Sequence, residues 1–226
     1  MSERGSGSAV SVSGDDASSP KRAGRIDQSL EDRFSTVFNS TLWGEGETVS
    51  GPGSRLDNPM VIKAFDALDH AITRLGVRSV ADIPCGDFNW FKEVLKKHPR
   101  LDYTGFDIVQ PLIEMNRQRF PGVKFVQFDI VSDVPGKFDL IFTKELFIHL
   151  TDAQIIRSIE NMKASGSTYL MASNSFGVEN EDLVHNELGY ARPVDLCVRP
   201  FALANQIWRN DFYAMWRLGD LKASLG

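Results

Sequence analysis

Apolar residues Val61, Ile62, Phe65, Leu68, Ala71, Ile72 and Leu75 recur at intervals of three and four, the spacing of one face of an α-helix. Asn58-Pro59 opens that pattern and Gly76 closes it, as expected of a capped start and a left-handed stop. From residue 77 the rhythm changes. Short apolar runs at 79–83, 103–107, 123–128, 138–142 and 168–172 alternate with amphipathic stretches at 88–97, 109–120 and 151–164. Strand and helix periods in alternation predict crossover units and a parallel sheet covered on both faces. After Ser173 the alternation breaks into a polar excursion reaching about Arg192, followed by strand-like runs at 195–199 and 212–218.

Upstream, residues 31–56 hold an amphipathic start, EDRFSTVFNSTLW, and a loop, GEGETVSGPGSR. Residues 1–30 are rich in Gly and Ser and carry too little apolar surface to offset the entropy of ordering, so they are expected to form a disordered tail. The remaining 31–226 make one domain of ordinary size.

Composition narrows the function classes. The 226 residues are 42% hydrophobic and 24% charged, with a formal net charge of −5. That is the balance of a soluble globular chain without the basic footprint of a nucleic-acid binder. No apolar run is long enough to span a bilayer, and no hydrophobic leader opens the chain, so the cytoplasm is the expected location. The two cysteines, Cys85 and Cys197, are far apart and build neither a disulfide framework nor a zinc site.

In doubly wound sheets, ligands bind beyond the carboxyl ends of the strands. After the first strand comes Asp82-Ile83-Pro84-Cys85-Gly86-Asp87-Phe88, a tight turn whose glycine lets a ligand approach the backbone. It is not a G-x-G-x-x-G turn, which argues against a nicotinamide enzyme. Asp107 ends the second strand 21 residues past Gly86, placed to accept hydrogen bonds from ribose hydroxyls. Asp129 and Ile130 follow the third strand, where a carboxylate beside an apolar residue suits an adenine. After the fourth strand Glu145 and His149 stand four apart, on one face if that segment is helical.

VADIPCGD, YTGFDI, VQFDI and FDLIFTKELFIHL, in this order, resemble the four core motifs of the class I S-adenosylmethionine-dependent methyltransferases. The resemblance covers about residues 57–173, and the SGPGS stretch resembles smaller bacterial relatives that work on saccharides and secondary metabolites, such as the actinobacterial sugar O-methyltransferases of the methylmannose polysaccharide type. It implies a Rossmann-like seven-stranded α/β sheet with an N-terminal helical cap. Residues 31–76 would be cap and first helix, 77–173 the cofactor-binding core, and 174–226 an acceptor-binding excursion with the final strands. The cofactor would be S-adenosyl-L-methionine, held by Asp82, Pro84, Gly86, Asp107, Ile108, Asp129, Ile130 and Thr143, with Trp43 and Ser54 from a lid over it. The departure lies in the first motif, where Pro84 and Phe88 stand in place of two usual glycines.

Several residues have a second, plainer reading. Asp82 and Asp129 would equally serve as helix caps, Cys85 as a small buried residue, and Trp43 with the 50–54 loop as an irregular lead-in. His149 is read either as a general base for an acceptor hydroxyl, oriented by Glu145, or as a histidine that tidies a helix start. Glu145 and His149 are also the candidate ligands of a divalent cation, Mg²⁺ for choice. The acceptor is expected to be a small molecule or an oligosaccharide, with a sugar hydroxyl foremost, contacted by Asn174, His185 and Arg192. His70 and His98 are expected at the surface with no role. No nucleic-acid or membrane partner is expected, and a homodimer is compatible with the reading. The competing functions are a small-molecule N- or O-methyltransferase of secondary metabolism and a non-catalytic binding protein that retains the fold. A base-modifying amino-methyltransferase is disfavoured, because Thr143-Lys144-Glu145-Leu146 is not an Asn/Asp-Pro-Pro-aromatic run.

Overall fold

The computed structural model describes residues 29–44, 46–183 and 188–221. Residues 1–28 of the tail expected over 1–30, and the excursion's His185, lie outside them. Five α-helices are described: α1 (Leu30–Asn39), α2 (Pro59–Arg74), α3 (Phe91–Lys97), α4 (Gln110–Arg119) and α5 (Asp152–Ala164). Seven strands form one sheet: β1 (Ser79–Asp82), β2 (Asp102–Asp107), β3 (Lys124–Gln127), β4 (Leu140–Thr143), β5 (Tyr169–Ser173), β6 (Trp208–Arg209) and β7 (Tyr213–Arg217). Their order is β3-β2-β1-β4-β5-β7-β6. β1 to β5 are parallel and β7 is antiparallel to both neighbours. This is the Rossmann-like sheet of the class I methyltransferase fold.

Local chemistry explains the helix boundaries. Asn58 caps α2 by accepting from the Met60 N–H, with Pro59 at the first helical position, where its missing donor costs nothing. Leu75 is the helix's C-cap, and the Val77 N–H returns to the Ala71 carbonyl across Gly76 at φ +71, a left-handed glycine stop. α5 starts with a capping box: the Gln154 N–H bonds the Thr151 hydroxyl and the Gln154 side chain returns to the Thr151 N–H, satisfying two donors at once. α1 begins at Leu30 with Ser29 as its cap, just inside the stretch expected to be tail.

Both faces of the sheet are covered. Leu68, Phe91 and Ile113 of α2, α3 and α4 pack with Val80, Leu140 and Phe142 on one side. Ile155, Ile159 and Met162 of α5 pack with Ala81, Ile141, Leu170 and Trp216 on the other. The strands at the centre are therefore apolar almost throughout, as sheets buried on two sides must be.

Three expectations need correcting. No strand forms at 195–199. Asp195 accepts there from the backbone N–H groups of Gly177 and Cys197, and these side-chain bonds compete with a ladder. The edge strand lies instead at Trp208–Arg209. α3 starts at Phe91 rather than at 88. His70 and His98 are not simply solvated: His70 stacks on Trp208 with ring centroids 5.2 Å apart, and His98 Nε2 lies 3.1 Å from Asp69. No described helix is long and apolar enough to cross a membrane.

Candidate active site

β2 and β3 are laid down on one side of β1, whereas β4 and β5 lie on the other. The switch point therefore falls between the carboxyl ends of β1 and β4, where such folds bind ligands. A cleft opens there, with about 1030 Å³ of unfilled space counted out to its mouth. Its floor is Ile83 to Gly86 after β1, Asp107 to Val109 after β2, Phe128 to Val131 after β3, and Lys144 to Leu146 after β4. Its roof is α1 with Trp43, Val49, Ser50 and Ser54.

The turn after β1 is locked into both neighbouring strands. The Ile83 N–H bonds the Phe142 carbonyl at 2.9 Å and the Cys85 N–H bonds that of Phe106 at 2.8 Å. Gly86 takes φ +55, and a Cβ there would come within 2.5 Å of the Ser50 hydroxyl oxygen, so close approach and backbone sign both call for glycine. Phe88 also takes a left-handed φ, +60. The second position expected to want glycine thus keeps glycine's conformation with a phenylalanine in it. The strain, about 1–2 kcal/mol, is offset by burying a ring against Tyr103, Phe120 and Phe125.

Asp107 is the polar centre of the floor. Its Oδ2 accepts from the Gly86 N–H at 3.1 Å and its Oδ1 from the Val109 N–H at 3.0 Å. Burial pushes its pKa up to about 6, against the lowering effect of these bonds. Each oxygen keeps a lone pair, so the carboxylate can still receive a pair of vicinal hydroxyls. Asp129 spends its oxygens nearby, on the Val131 N–H and the Ser132 hydroxyl, and still lines the cleft with Ile130. Asp82 and Thr143 do not line it. Asp82 receives the Tyr103 hydroxyl at 2.9 Å within the first core layer, and it caps no helix. Thr143 is fully buried at the end of β4. Cys85 is buried, and desolvation beside Asp107 and Asp82 drives its thiol well above the ordinary range, so it is no nucleophile.

The roof is fastened to the turn. Val49 N–H donates to Asp87 Oδ2 at 2.9 Å, and the Asp87 N–H donates back to the Ser50 hydroxyl at 2.8 Å. Asn89 reaches the Glu47 carboxylate and the Ser54 carbonyl. Trp43 stacks on His149 with centroids 4.7 Å apart, and Phe34 meets both rings at 6.0–6.1 Å. Trp43 and the 50–54 loop thus do cover the cleft.

Glu145 and His149 both line it, but no shared helical face brings them there. Glu145 sits at φ +54 before a single 3₁₀ turn, Phe147–His149. Its carboxylate is held 2.6 Å from the Lys144 ammonium, which also lies 3.4 Å from the Ser54 hydroxyl. His149 Nδ1 lies 2.9 Å from the Tyr190 carbonyl. Burial holds the imidazole's pKa below its ordinary value, against the raising effect of that contact and of Glu145. Among the described residues no three His, Cys, Asp or Glu side chains converge to hold a metal, so no described residue joins Glu145 and His149 as a further ligand.

Asn174 and Arg192, expected to face the acceptor, turn inward instead. Asn174 bonds Asp195 and the Leu196 N–H, whereas Arg192 bonds the Leu150 carbonyl and Asp152 at 2.6 Å. Neither lines the cleft. Lys144 and Phe34 do line it and have no role assigned from sequence. Lys144 was the more findable of the two, because it directly follows β4.

A family profile described as a methyltransferase domain matches residues 80–165. A trans-aconitate 2-methyltransferase of Afipia carboxidovorans is 28% identical over 98 residues, 42% of this chain and 38% of that protein. One from an Acidovorax species is 36% identical over 66 residues, 29% of this chain and 26% of that protein. The chain thus spans less than half the length of these curated relatives. The solved structure of the N-methyltransferase NodS from Bradyrhizobium japonicum, in complex with S-adenosyl-L-homocysteine, superposes with a TM-score of 0.59 at 18% identity, covering 82% of this chain and 98% of that one. With the strand order and the cleft at its switch point, these findings make residues 80–165 similar to a methyltransferase domain and give the chain the class I methyltransferase fold.

Proposed function

We propose that the chain transfers a methyl group from S-adenosyl-L-methionine to a hydroxyl of a small acceptor, with a sugar or oligosaccharide hydroxyl as the acceptor class. The residues present fit the cofactor: a buried carboxylate at the end of β2, a glycine turn open to close approach, and an apolar slot beside Ile130. Asp107 would receive the ribose hydroxyls, and Phe128 and Ile130 would flank the adenine beside Asp129. When bound, the cofactor supplies an electrophilic methyl on a sulfonium.

The observation that carries the hydroxyl reading is the state of His149. A carbonyl only accepts, so Nδ1 must donate to Tyr190 and Nε2 keeps its lone pair. Burial favours that neutral ring. A hydroxyl becomes a competent nucleophile as its proton leaves, and a neutral imidazole in a cleft is suited to take it. Phe34 and Trp43 exclude water around it and offer flat apolar surface to a ring's CH face. Most of the acceleration would come from holding acceptor and donor in line.

The curated relatives are named for trans-aconitate, a carboxylate that has no proton to lose before attack. A carboxylate acceptor would leave His149 idle. The deciding experiment therefore screens sugars, small amines, catechols and carboxylic acids with labelled cofactor, using wild type and His149→Ala. Hydroxyl methylation that collapses in the variant supports the proposal. Undiminished transfer to a carboxylate overturns it.

A further inference from the structure

We infer that Lys144 and Glu145, with the Ser54 hydroxyl, form a clamp for the zwitterionic amino-acid tail of the nucleoside donor; the inference rests on the S-adenosylmethionine reading above.

The cleft has two polar ends. Asp107 and Asp129 line it beyond β2 and β3 on one side of β1, and Lys144 and Glu145 line it beyond β4 on the other side, with Ser54 above them. An α-amino acid tail carries one cation and one anion side by side. The Lys144–Glu145 pair offers the complementary anion and cation at 2.6 Å separation. The lysine side chain is only 5% exposed and the glutamate 30%, and both residues line the cleft.

Unused bonding capacity supports the assignment. The Lys144 ammonium has three donors and in this structure meets two acceptors, Glu145 Oε2 and Ser54 Oγ. One donor is left for a carboxylate. Among the described residues the Ser54 and Ser50 hydroxyls only accept, from Lys144 and from the Asp87 N–H, so each retains a proton to donate. Glu145 uses one oxygen on Lys144, leaving the other for an ammonium.

The backbone is shaped around the pair. Glu145 is held at φ +54, its N–H fixed to the Ser173 hydroxyl at 2.8 Å. A non-glycine residue kept in this region marks a position that the surroundings over-determine. Gly53 lies so close that any Cβ there would run into the Glu145 carboxylate. The SGPGS loop and the end of β4 are thus fitted to each other at the charges.

Calorimetric binding of three nucleosides tests this: S-adenosylhomocysteine, decarboxylated S-adenosylmethionine and 5′-methylthioadenosine, which lacks the tail. Lys144→Gln should weaken S-adenosylhomocysteine about ten- to a hundred-fold and leave the other two within about two-fold. Glu145→Gln should weaken both ligands that carry the amine and spare 5′-methylthioadenosine. Ser54→Ala, a smaller change that tests the same contact if the lysine variant does not fold, should give a lesser loss confined to S-adenosylhomocysteine. Equal losses for all three ligands, or none for any, overturn the clamp while leaving the cofactor reading intact. Wild-type protein that binds none of the nucleosides overturns both.

Discussion

His149 Nδ1 lies 2.9 Å from the carbonyl oxygen of Tyr190, and that contact decides which ring nitrogen is free in the cleft. With Nδ1 donating, Nε2 is the only site able to take a proton. His149→Ala is expected to lower kcat about 10²–10⁴-fold while leaving cofactor affinity near wild type. The wild-type rate should rise with pH and level off once the ring is neutral. Because burial lowers this pKa, the midpoint of the rise should fall below the unperturbed imidazole's pKa of about 6.5. Steady-state kinetics across the acid range, beside calorimetry with S-adenosylhomocysteine, checks both statements. A variant with undiminished kcat on its true acceptor would make the histidine structural.

Asp107 gives a second pH signature on the cofactor side. Asp107→Ala should weaken adenosyl binding by roughly 1.5–3 kcal/mol, the value of hydrogen bonds to a charged group. With its pKa raised to about 6, the wild-type carboxylate loses its charge as pH falls through that value, and affinity should fall with it. Asp107→Asn should bind weakly with no such dependence. Titration of S-adenosylhomocysteine between acid and neutral pH separates the two, and matched pH profiles would remove Asp107 from the site.

The sheet was legible because its strands are apolar runs buried on two faces and its helices carry start and stop residues, as at Asn58, Gly76 and Thr151. The floor of the cleft was legible for a related reason. A strand end followed by glycine or aspartate is a local signal, and Gly86, Asp107, Asp129 and Ile130 all proved to line one space. Long-range partners were not. Nothing local says that Asn174 will turn to Asp195, 21 residues away, or Arg192 to Asp152, 40 away. These polar residues read as ligand contacts because their internal partners are distant in the chain. Glu145 misled differently, since a spacing of four implies a shared face only if the segment is helical, and the chain there turns through a left-handed residue instead.

Gly86 couples the strap to the floor, and a single methyl tests the coupling. Gly86→Ala must hold a left-handed backbone, at about 1–2 kcal/mol, and push its Cβ against the Ser50 hydroxyl that receives the Asp87 N–H. Thermal unfolding should shift down, and cofactor affinity should fall as the 49–54 segment lifts. Ser50→Ala in the same background removes the obstructing oxygen and should recover part of both losses. If Gly86→Ala melts and binds as wild type, the turn is not under the constraint described.

Asp82 carries a burden of charge that shows in stability rather than in binding. It is about 1% exposed, its Oδ2 receives the Tyr103 hydroxyl, and its Oδ1 has no hydrogen-bond partner among the described residues. Burial pushes its pKa up to about 8; the Tyr103 bond and Lys144 pull it down, while Asp107 adds to the rise. The group is therefore mostly a neutral acid at pH 7, its proton available to the bare oxygen. A carboxyl whose folded pKa lies above its unfolded value of about 4 contributes stability that is full below pH 4 and is lost as pH rises through about 8. Its share of the unfolding free energy should thus decline across that window, by at most ~1.4 kcal/mol per pH unit. Asp82→Asn keeps the shape and the acceptor for Tyr103 but has nothing to ionise. Urea denaturation of both proteins at a series of pH values isolates the effect, because the contribution of Asp107 cancels in the difference. Wild type should lose ground to the variant steadily from pH 4 to 8 and little beyond. Parallel curves over that range would mean that Asp82 is already ionised in the fold, and that Lys144, not burial, governs it.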